Sequence, residues 1–341
     1  MPGHDLRHSP PVGLTWDDYL QHFIVEHGGW TALADELVHR ASPTLETPLD
    51  LQTIERGLRR LSKREHKPAG KYGRWMLRFF GVPPTTRDWA RSLAQYHSRF
   101  ADLPTSIRIE QLRQWDRPPV SESSISAWIH VGLASVFHRT RDLEACTRHL
   151  QQAQPSAERA GDAAVLEVSL LRARIATDAG DRSASVALFD AVEPLLKSTD
   201  LSREDALSYR ARLVGQRAYQ LTKPAPGESP NFSYARELFE DLEQDPCAAF
   251  ACFRRNTGLA YCTWRLGDAT EGARLARRAA EFAGDGGLVR FRIMALNMLS
   301  LMVSPNEGRD ISKRAERLAR QLEDDDLLER VQRRARKLGN D

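Results

Sequence analysis

Apolar residues recur at steps of three and four through nearly the whole chain, and no run alternates Val, Ile and Thr in the manner of a strand. Three-and-four spacing places side chains on one face of a helix with 3.6 residues per turn. The spacing therefore predicts an all-α protein, with Gly and Pro gathered between the periodic segments. The 341 residues are enough for two or three domains. A hydrophobic content of 41% can fill their cores, and 28% charged residues suit a soluble chain. No apolar run reaches the 18 residues of a membrane span, so no membrane partner is expected. The opening "MPGHDLRHSPPVG" has no positive leader followed by an apolar stretch and reads as a flexible tail over 1–13. Cys146, Cys247, Cys252 and Cys262 fit no zinc or disulfide spacing, which points to a reducing, cytoplasmic setting and to buried small residues.

A repeated pattern organises the chain from residue 121 onward. The segments "LASVFHRTRDLEACTRHLQQA", "RARIATDAGDRSASVALFDAV" and "LAYCTWRLGDATEGARLARRAA" each read as a helix, a turn at Arg141-Asp142, Gly180-Asp181 or Gly267-Asp268, and a second helix. Two further pairs fit the intervals: "REDALSYRARLVGQRAYQL" with "NFSYARELFEDL" around a loop at 222–230, and "GLVRFRIMALNMLSLMV" with "GRDISKRAERLARQLE". The last stretch, "DDDLLERVQRRARKL", is acidic first and basic last, an order that suits the helix dipole of a polar capping helix. Small or apolar residues hold the matched positions: Leu133, Ala134, Phe137, Cys146, Leu150 and Ala153 in one copy, and Leu259, Ala260, Thr263, Gly272, Ala276 and Ala279 in another. The copy around residue 180 has Arg172, Ala173, Ala176, Ser185, Phe189 and Val192 there. This pattern resembles the tetratricopeptide repeat, without its helix-starting Trp and with Arg172 in place of Leu. The resemblance implies an α-solenoid over 121–341 whose concave groove either holds a peptide or protein partner or packs against another part of the same chain. Asn256 and Asn297, on first helices of their pairs, are candidate groove residues, because an amide can donate and accept along a peptide backbone.

The first third is different in kind. Four helices are expected before residue 82: "TWDDYLQHFIVEH", "WTALADELVHRA", "DLQTIERGLRRLSKRE" and "KYGRWMLRFF". Residues 50–81 hold nine Lys and Arg against three Asp and Glu, in a chain whose whole net charge is +3. In the third helix Leu51, Ile54, Leu58 and Leu61 form one buried stripe, with Asp50 placed as its cap. The cations lie off that stripe, and Lys71, Arg74 and Arg78 lie off the aromatic face of the fourth helix. Gly57 disfavours the third helix by about 1 kcal/mol relative to Ala and suits a close approach.

This unit over 14–82 resembles a helix-turn-helix domain, although about nine residues with two prolines replace its tight turn. The resemblance implies that Gln52, Thr53, Arg56 and Arg60 reach bases, while Arg59, Lys63, Arg64, Lys67 and Lys71, with Arg74 beyond, meet phosphates. It also implies a homodimer reading two half-sites of duplex DNA. The alternatives are a solvated basic face with no partner, an acidic protein surface, or lipid. A connector over 83–120 places Trp89, Leu93, Tyr96 and Phe100 on one helical seam, facing the repeats or a second copy, and ends at the double proline 118–119.

The common phosphate-loop, zinc-protease and nucleophile-elbow motifs are absent. His130, His138 and His149 could converge across a helix pair but have no ligand spacing, and the acidic run 324–326 fits a helix start. No metal, cofactor or catalysis is expected. A small basic head ahead of a helix-pair stack resembles the peptide-sensing bacterial transcription regulators. The expectation is a DNA-binding regulator, with a non-catalytic adaptor as the alternative.

Overall fold

A computed structural model describes residues 13–44 and 50–339. Apart from Gly13, the expected tail lies outside the described residues, as do residues 45–49 of the proline loop. Every regular element among the described residues is helical. The head comprises α1 (Trp16–His27), α2 (Trp30–Ala41), α3 (Leu51–Ser62) and α4 (Gly70–Phe79). Thr15 starts α1 with a reciprocal cap, its hydroxyl accepting from the Asp18 amide at 3.1 Å. Gly28, at φ 85°, ends it in the left-handed region. Trp16, Tyr19, Leu20 and Phe23 are buried in one core with Leu33 and Leu37 of α2 and Ile54, Leu58 and Leu61 of α3. The close approach at Gly57 is internal: a Cβ there would lie 2.3 Å from Tyr72 Cε2, so the glycine lets α4 cross α3.

The connector holds α5 (Pro84–Ala94) and α6 (Thr105–Trp115). Five helix pairs follow: α7 (Ser126–Arg139) with α8 (Leu143–Ala160), α9 (Asp162–Asp178) with α10 (Arg182–Val192), α11 (Arg203–Thr222) with α12 (Phe232–Glu240), α13 (Ala249–Arg265) with α14 (Ala269–Asp285), and α15 (Val289–Leu299) with α16 (Pro305–Gln321). α17 (Asp325–Gly339) ends the stack. The repeated turn has a simple cause. Gly180 (φ 82°) and Gly267 (φ 108°) turn the chain through the left-handed region, and Arg141 (φ 63°) takes that place in the first pair. The next residue, Asp142, Asp181 or Asp268, then caps the second helix by accepting from the amide three residues on at 3.0, 3.0 and 2.9 Å. The small residues Ala134, Cys146, Ala173, Ser185 and Ala260 are fully buried. The stack curls until α17 reaches the turn after α7, where Arg141 Nη2 meets Asp326 at 2.5 Å.

Gly258 of α13 is a sharper case of close packing. A Cβ there would lie 2.3 Å from the ring of Phe239, itself buried on α12. Gly258→Ala is expected to destabilise the protein by about 1–3 kcal/mol, although alanine favours an isolated helix by about 1 kcal/mol. A lower urea midpoint with an unchanged slope would show it.

The expected seam through Trp89, Leu93, Tyr96 and Phe100 does not form, because α5 ends at Ala94 and Gln95 is extended. Residues 95–102 instead form a strap along the stack. Asp205 of α11 pulls the chain out of its helix: it accepts from Gln95 Nε2 and Arg91 Nη2, each at 2.6 Å, and faces His97 Nε2 at 3.3 Å. Trp89 and Phe100 still meet, with ring centroids 5.5 Å apart, but Tyr96 packs on Phe250 and Phe291. Farther along, Ala101 accepts from Arg139 Nη1 at 2.7 Å, and Asp102 accepts from the Arg290 amide at 3.1 Å. The strap thus touches the first helices of all five pairs, which line the concave face. These residues thus pack on the repeats, although not as one helical seam.

Burial alone would raise the Asp205 carboxyl, but the hydrogen bonds from His97 and Ser202 and the charge of Arg91 hold it well below the ordinary range. A depressed carboxyl stabilises the fold fully above its unfolded value, about 3.9, and loses that contribution as pH falls through the lower folded value. The melting-temperature gap between the wild type and Asp205→Asn is therefore expected to narrow as pH drops below about 4.

One apolar core runs from Trp16 to Leu213, passing residues 118–120 without a break, and a second runs from Ala211 to Val331. The head is tied down by the Ala69 amide donating to Glu122 at 3.1 Å and by His66 Nδ1, 3.0 Å from the Pro118 carbonyl. No helix among the described residues is long and apolar enough to cross a membrane.

Candidate nucleic-acid interface and concave cavity

The sequence placed its cations off the apolar stripe, and they are found off it. Gln52, Thr53, Arg56, Arg59, Arg60 and Lys63 are exposed on or just after α3, as are Lys67, Lys71 and Arg74 beyond it, while Arg64 is half-buried. Asp50 caps α3 by accepting from the Thr53 amide at 2.9 Å, and the Thr53 hydroxyl also donates to that carboxylate. Thr53 is thus engaged by the cap. Arg59 is engaged too: its Nη2 lies 2.8 Å from Glu55, and its guanidinium is 4.9 Å from the Trp30 ring centroid. Lys71 lies 4.5 Å from the Trp75 ring centroid. Arg56, Arg60, Lys63, Arg64, Lys67 and Arg74 have no carboxylate within 4.0 Å among the described residues. Between α3 and α4 a groove of about 240 Å³ is walled by Arg56, Arg60, Arg64 and Lys71 and floored by Gly57 and Tyr72. Such a cluster of unpaired guanidinium and ammonium groups suits phosphate oxygens.

Neither candidate groove asparagine is among the residues that line the arginine cavity of the first helices. Asn256 is buried, and its Nδ2 donates to the Cys252 carbonyl at 2.8 Å, one turn back in its own helix. Asn297 is half-buried, with Oδ1 enclosed and without a hydrogen-bond partner among the described residues. His130 and His149 do converge, their Nδ1 atoms 3.4 Å apart, whereas His138 faces Asp178 at 3.3 Å. Cys146, Cys252 and Cys262 are buried, but Cys247 is exposed in the loop before α13, correcting its expected burial. No group of three metal-ligating side chains is present among the described residues. Asp324 caps α17, accepting from the Leu327 amide at 3.0 Å.

The periodicity did not show a second basic feature, inside the stack. Arg139, Arg174, Arg212, Arg254 and Arg290 come one each from α7, α9, α11, α13 and α15, and all line one cavity of about 340 Å³. Tyr96 of the strap and Phe250 supply aromatic wall. Arg174 pairs with Asp178 at 2.9 Å, Arg212 with Glu167 at 2.5 Å and Arg290 with Asp324 at 2.9 Å. Arg254 has no carboxylate within 4.0 Å among the described residues, and its Nε is enclosed without a partner. Arg139 gives Nη1 to Ala101, but its Nη2 is likewise enclosed and unpaired. Burial, with Arg290 beside it, lowers Arg139 to about 10. Burial and the charges of Arg174, Arg212 and Arg290 lower Arg254. The signal was available in the sequence: these arginines recur at intervals of 35, 38, 42 and 36 residues, one on each first helix. A larger cavity, about 790 Å³, lies against Arg91, His97, Asp205 and Phe250, with charges of both signs.

An all-α, solenoid-like stack carrying a basic helical head is the class of protein these features define. No family model matches the chain, and no curated protein matches it.

Proposed function

We propose that the chain is a DNA-binding transcription regulator, in which the α3–α4 ridge meets duplex DNA and the helix-pair stack senses a ligand or partner. The observation that carries this reading is the exposed ridge whose arginines and lysines mostly lack carboxylate partners of their own. The order of α2 and α3 and the solvent-facing surface of α3 support it, given their resemblance to a helix-turn-helix. Arg56 and Arg60 sit one turn apart on that surface, as a helix entering the major groove requires. The stack's resemblance to tetratricopeptide repeats supports the sensing role, and the strap gives sensing a route, since it continues from α5 of the connector, the helix that follows the head, to the first helices of all five pairs. A homodimer would present two ridges to half-sites about 34 Å apart.

The experiment is retention of the full chain on duplex DNA at two salt concentrations, with Arg56, Arg59, Arg60 and Lys63 changed together to Ala in parallel. Salt-sensitive retention that the variant loses supports the regulator. Absence of retention even at low salt would favour an adaptor that holds an acidic protein surface.

A further inference from the structure

We propose that the arginine-lined cavity of the concave face is a binding site for a small phosphorylated anion of nucleotide size. This inference stands whether or not the ridge meets DNA. Five first helices each contribute one arginine to a single volume, and two of the five keep enclosed donors without partners. Guanidinium groups gathered out of water repel one another and lose hydration, a costly arrangement unless an anion completes it. Three of the arginines have carboxylates beside them, so the unfilled demand centres on Arg254 and Arg139.

Size and shape narrow the ligand. A cavity of about 340 Å³ is at the small end for ligand sites. The strap packs along the concave face through Tyr96, Ala101 and Asp102, and the arginine-lined space beside it is compact, a size that suits a small anion more than an extended acidic peptide. Guanidinium forks match phosphate oxygens in two-point contacts, and several converging forks call for more than one phosphate. The rings of Tyr96 and Phe250 offer an aromatic wall for a base.

Tyr96 supplies an internal reporter. Its neighbours are Arg139, Arg174, Arg212, Arg254 and Arg290 from the five first helices, with Glu167 accepting its amide at 2.9 Å. Burial alone would raise the phenol, but the field of Arg290, Arg254, Arg212 and Arg139 brings it down to about 8. An anion among those arginines offsets that field and moves the phenol back up.

The test uses the full chain, with pyrophosphate, ATP and GTP as probes, in calorimetry and in ultraviolet titration of the phenolate. Saturable binding of at least one probe is expected, together with an upward move of the titration step near pH 8. Tyr96→Phe should remove that step, identifying its source. Arg254→Met keeps hydrocarbon over Gly215 while removing the charge. It should weaken binding by about tenfold or more, the loss expected for a charge-assisted contact. The fourfold ridge variant should bind the same probes unchanged. The proposal is overturned by no binding of any probe, by binding that leaves the Tyr96 step in place, by loss of binding in the ridge variant, or by an acidic peptide binding where the three probes do not. Should Arg254→Met fail to fold, the response of Tyr96 in the wild type still decides the matter.

Discussion

Changing Arg56, Arg59, Arg60 and Lys63 together to alanine is expected to lower affinity for duplex DNA by about three orders of magnitude near 0.1 M salt. Each phosphate neutralised by a side chain releases a condensed counterion, which contributes about 0.9 to the logarithmic salt dependence. Losing Arg59 and Lys63 removes two such phosphate contacts, and losing Arg56 and Arg60 removes two base contacts of about 1–3 kcal/mol each. The fold should be untouched, because all four side chains are exposed and the Arg59–Glu55 pair is a surface contact. An unchanged melting temperature beside the lost affinity separates this outcome from simple unfolding. Retention of full affinity by a folded variant would move any DNA contact off the ridge.

Glu167→Ala is expected to destabilise the protein by about 3–5 kcal/mol, the usual cost of breaking a buried pair from one side. Glu167 and Arg212 are 2% and 6% exposed, and their charged groups meet at 2.5 Å. The other Glu167 oxygen accepts the Tyr96 amide at 2.9 Å, so the alanine also orphans a donor of the strap. Arg212 would be left uncompensated beside a cavity already crowded with guanidinium groups. Urea unfolding measures the loss directly. Adding Arg212→Met should recover a large part of it, because the penalty lies in the unpaired charge. A double variant as unstable as the single would place the cost in packing.

The parts of the fold legible in the sequence were those decided locally. A Gly that tolerates a left-handed turn followed by an Asp that caps the next helix marks a helix pair within two residues, and Gly180-Asp181 and Gly267-Asp268 do this. The exposed ridge was legible because Ile54, Leu58 and Leu61 fix which side of α3 is buried, and the cations lie off it. The strap was not, because Trp89, Leu93, Tyr96 and Phe100 have helical spacing while Asp205, far along the chain, draws Gln95 into an extended conformation. Asn256 was read as a groove donor for its chemistry, yet its own helix supplies its acceptor. Gly57 advertised a close approach correctly but not its partner, Tyr72. The concave arginines escaped notice because helical periodicity describes one turn at a time. Their meaning lies in a spacing of one per helix pair, and in charges that become neighbours only when the stack curls.

The most direct measurement of the central claim is the salt dependence of duplex binding by the intact chain, followed across several concentrations beside the fourfold ridge variant. Six to eight phosphate contacts predict a wild-type slope of about −5 to −7 on logarithmic axes, with about 2 removed in the variant, which loses the phosphate contacts of Arg59 and Lys63. A flat wild-type line, or the same slope in both proteins, would contradict a ridge that works by neutralising phosphates.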